Sequence, residues 1–154
     1  MSALRPSKIV CVGRNYAEHA KELGNAVPER PLLFFKPPSA LIAAGEPIIL
    51  PAASSRVEHE AEIGVVIGTR ASYVEEANAL DHVAGYCIVN DVSERDYQRN
   101  GGGGQWIKGK SPDTFAPIGP WLVTQDEIPD PQKLAMWLDV DGRRFQDGST
   151  KTMI

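Results

Sequence analysis

Apolar residues occur along this chain in short runs cut by proline and glycine. Ile9-Val10-Cys11-Val12, Leu32-Leu33-Phe34-Phe35, Ile63 with Val65-Val66-Ile67, and Tyr86-Cys87-Ile88-Val89 are each too short for a packed helix and are bounded by turn residues, so they predict strands. Strands are expected over 8–12, 32–36, 48–50, 56–68 as a long central strand, 83–90, 121–123 and 134–140. In the last, Leu134, Met136, Leu138 and Val140 share one face by the period of two. Asp141-Gly142 predicts a type I′ turn into a partner strand over 143–146. Helical signals are few. Asn15 with Glu18 and Ser72 with Glu75 read as capping boxes, opening short helices that run to Leu23 and Leu80. A polar helical turn over 93–100 precedes the glycine run 101–104. The pattern predicts a mainly β domain with short helices, α+β in class, built as a mixed β-sandwich or roll.

Composition narrows this further. The 154 residues suffice for one sizeable core, and 1–154 shows neither internal repeat nor linker, so a single domain is expected. The 14 glycines and 12 prolines fit a turn-rich β fold. A net charge of −4 without a basic stripe argues against a nucleic-acid partner. No apolar run reaches membrane-spanning length and the N-terminus lacks a signal-peptide core, so no membrane association is expected. Cys11 and Cys87 each lie inside an apolar run and read as reduced core residues, which fits a cytoplasmic setting. The chain stops at Thr152-Met153-Ile154 just as an apolar segment begins, and the expectation is that its C-terminal part is missing.

The chemistry centres on His59-Glu60-Ala61-Glu62-Ile63-Gly64. On a strand, Glu60 and Glu62 project from the same face, beside an apolar run. Two neighbouring carboxylates repel and are costly to desolvate, and a divalent cation removes that conflict. Asp91, ending the run Tyr86 to Val89, could supply a third oxygen ligand. An all-carboxylate set suits Mg2+ or Mn2+ better than zinc. The same spacing also fits the solvated face of a half-exposed strand. Gly104 to Ser111 matches the P-loop pattern, but no buried strand precedes it and Pro112 and Pro117 oppose a helix after it, so nucleotide binding is not expected. His19 and Glu22 are three apart on the first helix and can pair to orient an imidazole, or can be an ordinary exposed ion pair. Lys110 is a candidate cation facing a substrate, or a surface lysine. His59 is expected to orient a ligand rather than bind metal, His82 to be structural, and Trp106, Trp121 and Trp137 to lie in the core.

Taken together, several segments resemble the fumarylacetoacetate hydrolase family. They are Cys11-Val12-Gly13-Arg14-Asn15-Tyr16 with His19; Leu33-Phe34-Phe35-Lys36-Pro37; His59 to Gly64; Asn90-Asp91-Val92-Ser93-Glu94-Arg95-Asp96; Trp106 with Gly109-Lys110-Ser111; and Gly148-Ser149-Thr150. The resemblance implies a β-roll of that family's C-terminal-domain type, forming a homodimer, with Mg2+ or Mn2+ held by Glu60, Glu62 and Asp91. It implies a lid over 15–31 carrying a water-activating His19-Glu22 pair, Lys110 reaching the substrate's oxygens, and substrate contacts from Arg14, Tyr16 and Gln98. The implied substrate is a small 2-oxo acid. The reaction is hydrolysis of an acylpyruvate or fumarylpyruvate, isomerisation of a hydroxymuconate-type diacid in aromatic breakdown, or decarboxylation of oxaloacetate. Acylpyruvate cleavage and oxaloacetate decarboxylation both pass through a pyruvate enolate, whose charge a cation beside it stabilises. The competing expectation is a non-catalytic fragment or subunit that keeps the fold without turnover.

Overall fold

The computed structural model describes residues 4–18, 24, 26–101 and 103–154. Strands β1 (Ile9–Gly13) and β2 (Leu32–Lys36) form an antiparallel pair, and β3 (Leu41–Ala43) follows. Next come β4 (Val57–Glu58), β5 (Ala61–Ile67), β6 (Val83–Asn90) and β7 (Ser93–Glu94). Short helices Arg95–Asn100 and Ile107–Lys110 precede β8 (Ala116–Ile118), β9 (Val123–Thr124), β10 (Ala135–Val140) and β11 (Arg143–Ser149). The main sheet runs β3-β8-β6-β5, with β9 also paired to β6. Its longest ladder is antiparallel β5–β6, from Ala61 opposite Asn90 to Ile67 opposite Val83. β4 pairs separately with β7, and β10 with β11.

The mainly β expectation holds, and β2 and β6 fall where their apolar runs place them. The Asp141-Gly142 turn forms as expected, with φ of 50° and 77°, the left-handed pair a type I′ hairpin needs. Several local expectations change. The strand expected over 121–123 is shifted to Val123–Thr124. The 56–68 strand is two strands, broken at His59-Glu60, where the chain leaves its pairing with β7 and joins β6; β5 is the sheet's edge rather than its centre. Residues 48–50 form no strand, since Pro47 and Pro51 on either side cannot donate to a ladder. The second capping box does not form. Tyr73 takes φ 53° and turns the chain aside, and a 3-10 helix begins only at Glu76 with no side-chain cap. Trp121 and Trp137 are 75% and 58% exposed and so are not core, while Trp106 packs on Phe34 with ring centroids 5.5 Å apart. Of the first helix, Ala17 and Glu18 are helical and His19 to Leu23 lie outside the described residues.

The buried set is unusual in composition. Beside Phe34, Ala40, Tyr86, Val92, Phe115 and Ala116 it includes Lys36, Asp91, Glu94, Gln98, Lys110 and Thr150. Charged groups are buried only when ion-paired or hydrogen-bonded, so the core itself leads to the site.

Candidate functional site

The break between β4 and β5 carries Glu60 to the end of β6. The Asp91 amide donates to the Glu60 carbonyl at 2.8 Å, and the Glu60 amide donates to Asn90 Oδ1 at 3.1 Å. These bonds hold Glu60 and Asp91 side by side. Lys36 ends β2 on the same face as Phe34 and reaches inward. Its Nζ donates to Asp91 Oδ1 at 2.7 Å and to the Val92 carbonyl at 3.0 Å. Lys110 ends the four-residue helix Ile107–Lys110, and its Nζ lies 2.7 Å from both Asp91 Oδ2 and Glu60 Oε2. Arg95 closes the other side, donating from Nη2 to Glu60 Oε1 at 2.6 Å, from Nε to Glu58 Oε2 at 2.7 Å, and from Nη1 to Gln98 Oε1 at 2.9 Å.

Two features set these helices. Buried Glu94 caps the Arg95–Asn100 helix by accepting from the Tyr97 amide, and also accepts from Ser54 Oγ at 2.9 Å. Gly109 lets the second helix lie against the first. A Cβ there would stand 2.4 Å from the Glu94 carbonyl oxygen and 2.5 Å from the Gln98 amide nitrogen, both backbone atoms that cannot swing aside. Gly109→Ala should therefore destabilise the protein by about 1–3 kcal/mol and loosen Lys110. Thermal unfolding checks this, and an unchanged midpoint contradicts it.

The electrostatics follow from burial and crowding. Burial, with the charge of Glu60 next in weight, pushes the Glu62 carboxyl up to about 7, against a hydrogen bond with the Tyr16 hydroxyl that lowers it. Burial and that same carboxylate push the Tyr16 hydroxyl well above its ordinary range. Burial alone would raise Asp91, but the ammonium groups of Lys36 and Lys110 outweigh it and hold the carboxyl below the usual range. Burial holds Lys36 below the usual lysine range despite its pairing with Asp91. Cys11, a free thiol, is pushed up to about 12 by burial and by Asp91.

The expected residues separate into three groups. Glu60, Asp91 and Lys110 meet directly, Glu62 and Tyr16 adjoin them, and Gln98 joins through Arg95. Arg14 is exposed at the turn after β1, with φ 55° and no contact to the carboxylates. His19 and Glu22 lie outside the described residues. His59 packs edge-on to Phe145 at 5.6 Å, and His82 Nδ1 lies 3.4 Å from the Thr69 carbonyl oxygen. Lys36, Glu58 and Arg95 were not singled out as site residues from the sequence. Lys36 had a signal: by the period of two it shares a face with Phe34, and a lysine on a buried face needs a carboxylate partner.

Among the described residues no three His, Cys, Asp or Glu side chains stand arranged to ligate an ion, and the oxygens of Glu60 and Asp91 are bonded to ammonium and guanidinium groups. The donor set still fits a hard divalent cation. Its oxygens belong to three carboxylates, Lys110 already places a positive charge between two of them, and Glu62 is raised by burial first and by the charge of Glu60 second. Glu62 also forms one wall of an apolar cleft of about 190 Å³ lined by Tyr86, Ile88, Trp121, Leu134 and Met136.

Comparison with known proteins bears on this arrangement. The family model described as fumarylacetoacetate (FAA) hydrolase C-terminal matches residues 8–154. A curated relative from Burkholderia ambifaria, with a general hydrolase name and no stated substrate, is 55% identical over 150 residues, covering 97% of this chain and 53% of its own length. The chain thus spans about half the length of the curated relatives it matches. The crystal structure of a 5-carboxymethyl-2-hydroxymuconate delta-isomerase from Mycobacterium smegmatis is 43% identical with a TM-score of 0.85, covering 97% of this chain and 58% of that one. A fumarylacetoacetate hydrolase from Exiguobacterium antarcticum is 40% identical with a TM-score of 0.86, covering 97% and 53%.

Proposed function

This chain belongs to the fumarylacetoacetate hydrolase family, and from that premise we propose that the protein is a divalent-metal-dependent hydrolase of C–C bonds in small 2-oxo acids of the acylpyruvate or fumarylpyruvate kind. One observation carries the reading: Lys110 Nζ sits 2.7 Å from both Glu60 and Asp91, with Glu62 crowded alongside. Glu60, Glu62 and Asp91 would hold Mg2+ or Mn2+. When bound, the ion supplies Lewis-acid polarisation of the substrate's oxo group. The remaining work falls to the protein. Lys36 and Lys110 flank Asp91, Lys110 and Arg95 flank Glu60, Glu58 is shared between Arg95 and Arg56, and Glu62 lies alongside. A divalent ion with a doubly charged acid enters such a cluster without changing its net charge. Lys110, almost fully buried, neutralises charge that develops on the substrate as the C–C bond opens. Gln98, held by Arg95, and Tyr16, beside Glu62, would contact the substrate.

Mg2+ or Mn2+ should raise the thermal midpoint, because binding to the native state stabilises it. The double substitution Glu60→Gln, Glu62→Gln should remove that shift, and a shift that survives it overturns the metal assignment.

Water activation is assigned to His19 with Glu22, on the lid over 15–31. His19→Ala should cost about a hundredfold to ten-thousandfold in hydrolysis. It should spare Mn2+ binding and touch oxaloacetate decarboxylation less, since no water attacks there. Equal losses in both reactions would mean that His19 closes the site and transfers no proton.

A second reading rests on the isomerase structure from Mycobacterium smegmatis, at 43% identity. On it, the same groups shift a proton along a hydroxymuconate-type diacid without adding water. A subunit without turnover is the reading from another class, and assays on the protein at its full natural length separate all three.

A further inference from the structure

Between Glu60 and Glu62 stands Ala61, 8% exposed, and its backbone is held by a side chain 85 residues away. The Gln146 carboxamide accepts from the Ala61 amide at 2.8 Å and donates through Nε2 to the Ala61 carbonyl at 2.9 Å. Ala61 lies opposite Asn90 on β6, and among the described residues no strand pairs with the other side of β5, so its outward amide and carbonyl meet no further strand. Gln146 supplies both partners at once, as a neighbouring strand would.

The consequence lies in which peptides are held. The Ala61 amide belongs to the peptide joining it to Glu60, and the Ala61 carbonyl to the peptide joining it to Glu62. Fixing both planes fixes the directions in which the two glutamate side chains leave the backbone. We propose that Gln146 is a positioning residue for the Glu60 and Glu62 carboxylates, setting their geometry for the divalent cation through the peptides on either side of Ala61. This inference rests on the metal reading above. β11 presents Gln146 from opposite Leu138, directly after the bulge at Phe145, whose ring packs on the His59 ring. The hairpin therefore reaches the acid pair by two routes, of which only one touches Ala61.

The test compares those routes in the full natural-length protein, with Mn2+ as the probe. Gln146→Ala removes both bonds. Gln146→Glu keeps the size and the acceptor for the Ala61 amide but sets an oxygen against the Ala61 carbonyl. Phe145→Leu loosens the hairpin without touching Ala61. Both Gln146 variants should bind Mn2+ about tenfold to a hundredfold more weakly, as is usual when the support of a metal ligand is lost. The electron paramagnetic resonance spectrum of the bound ion should show an altered zero-field splitting, and Phe145→Leu should leave affinity and spectrum unchanged. Should Gln146→Ala fail to fold, the isosteric Gln146→Glu carries the same comparison. Mn2+ affinity within about twofold of the parent in the Gln146 variants overturns the inference. So does an equal loss in Phe145→Leu, which would assign the effect to hairpin docking as a whole. A parent that binds no Mn2+ overturns the metal reading, and this inference with it.

Discussion

Lys110→Ala lowers turnover by about a hundredfold to a thousandfold, on hydrolysis and decarboxylation alike, because both develop negative charge beside this ammonium. The side chain is 2% exposed and lies 5.0 Å from the centroid of the Phe34 ring, so water screens it little. Its loss has a structural side as well. Glu60 and Asp91, both 2.7 Å from its Nζ, would face each other with one fewer counter-charge. Removing one partner of a buried ion pair typically costs about 3–5 kcal/mol. A divalent ion restores positive charge at the same place, so Mg2+ should recover stability in Lys110→Ala without recovering rate. Steady-state kinetics and thermal unfolding with and without chelator check both halves. A variant that retains most of its turnover contradicts the role given to Lys110.

Asp91→Asn should be at least as destabilising as Lys110→Ala. Asp91 is 6% exposed and receives one ammonium on each oxygen, Lys36 on Oδ1 and Lys110 on Oδ2. The amide that replaces it keeps one acceptor and turns the other into a donor aimed at a cation. Two buried ammonium groups then share too little negative charge, and the uncompensated charge costs about 3–5 kcal/mol. For a chain of this size that lowers the midpoint by roughly ten degrees. Lys36→Met with Asp91→Asn should recover part of the loss, because one unpaired cation is removed. A double variant no more stable than Asp91→Asn alone would show that the two groups are not coupled.

Much of this was legible in the sequence, and the physical reasons differ by element. β2 and β6 were readable because their apolar runs are bounded by charge or turn residues. The β10–β11 turn was readable because Asp-Gly accepts two left-handed residues where few other pairs do. The split between β4 and β5 was not readable. Val57 to Ile67 keeps a strand-like composition throughout, and only the competition between β7 and β6 for its edges breaks it at His59-Glu60. Glu60, Glu62 and Asp91 stood out as acids beside apolar runs, whereas Arg95 did not. An arginine opening a polar helix looks like any surface arginine until Glu58 and Glu60 are brought against it from a distant strand. Gln146 was silent for a similar reason, since its partner is a backbone edge that no side-chain pattern announces.

The most direct measurement of the central claim is product analysis with the protein at its full natural length. Acetylpyruvate is supplied with Mg2+ or Mn2+, and pyruvate and acetate are quantified together. The account predicts both products in equal amounts, dependent on the divalent ion and lost in Glu60→Gln, Glu62→Gln. Metal-independent turnover would contradict it, as would no cleavage of any 2-oxo acid in a panel extended to fumarylpyruvate and oxaloacetate.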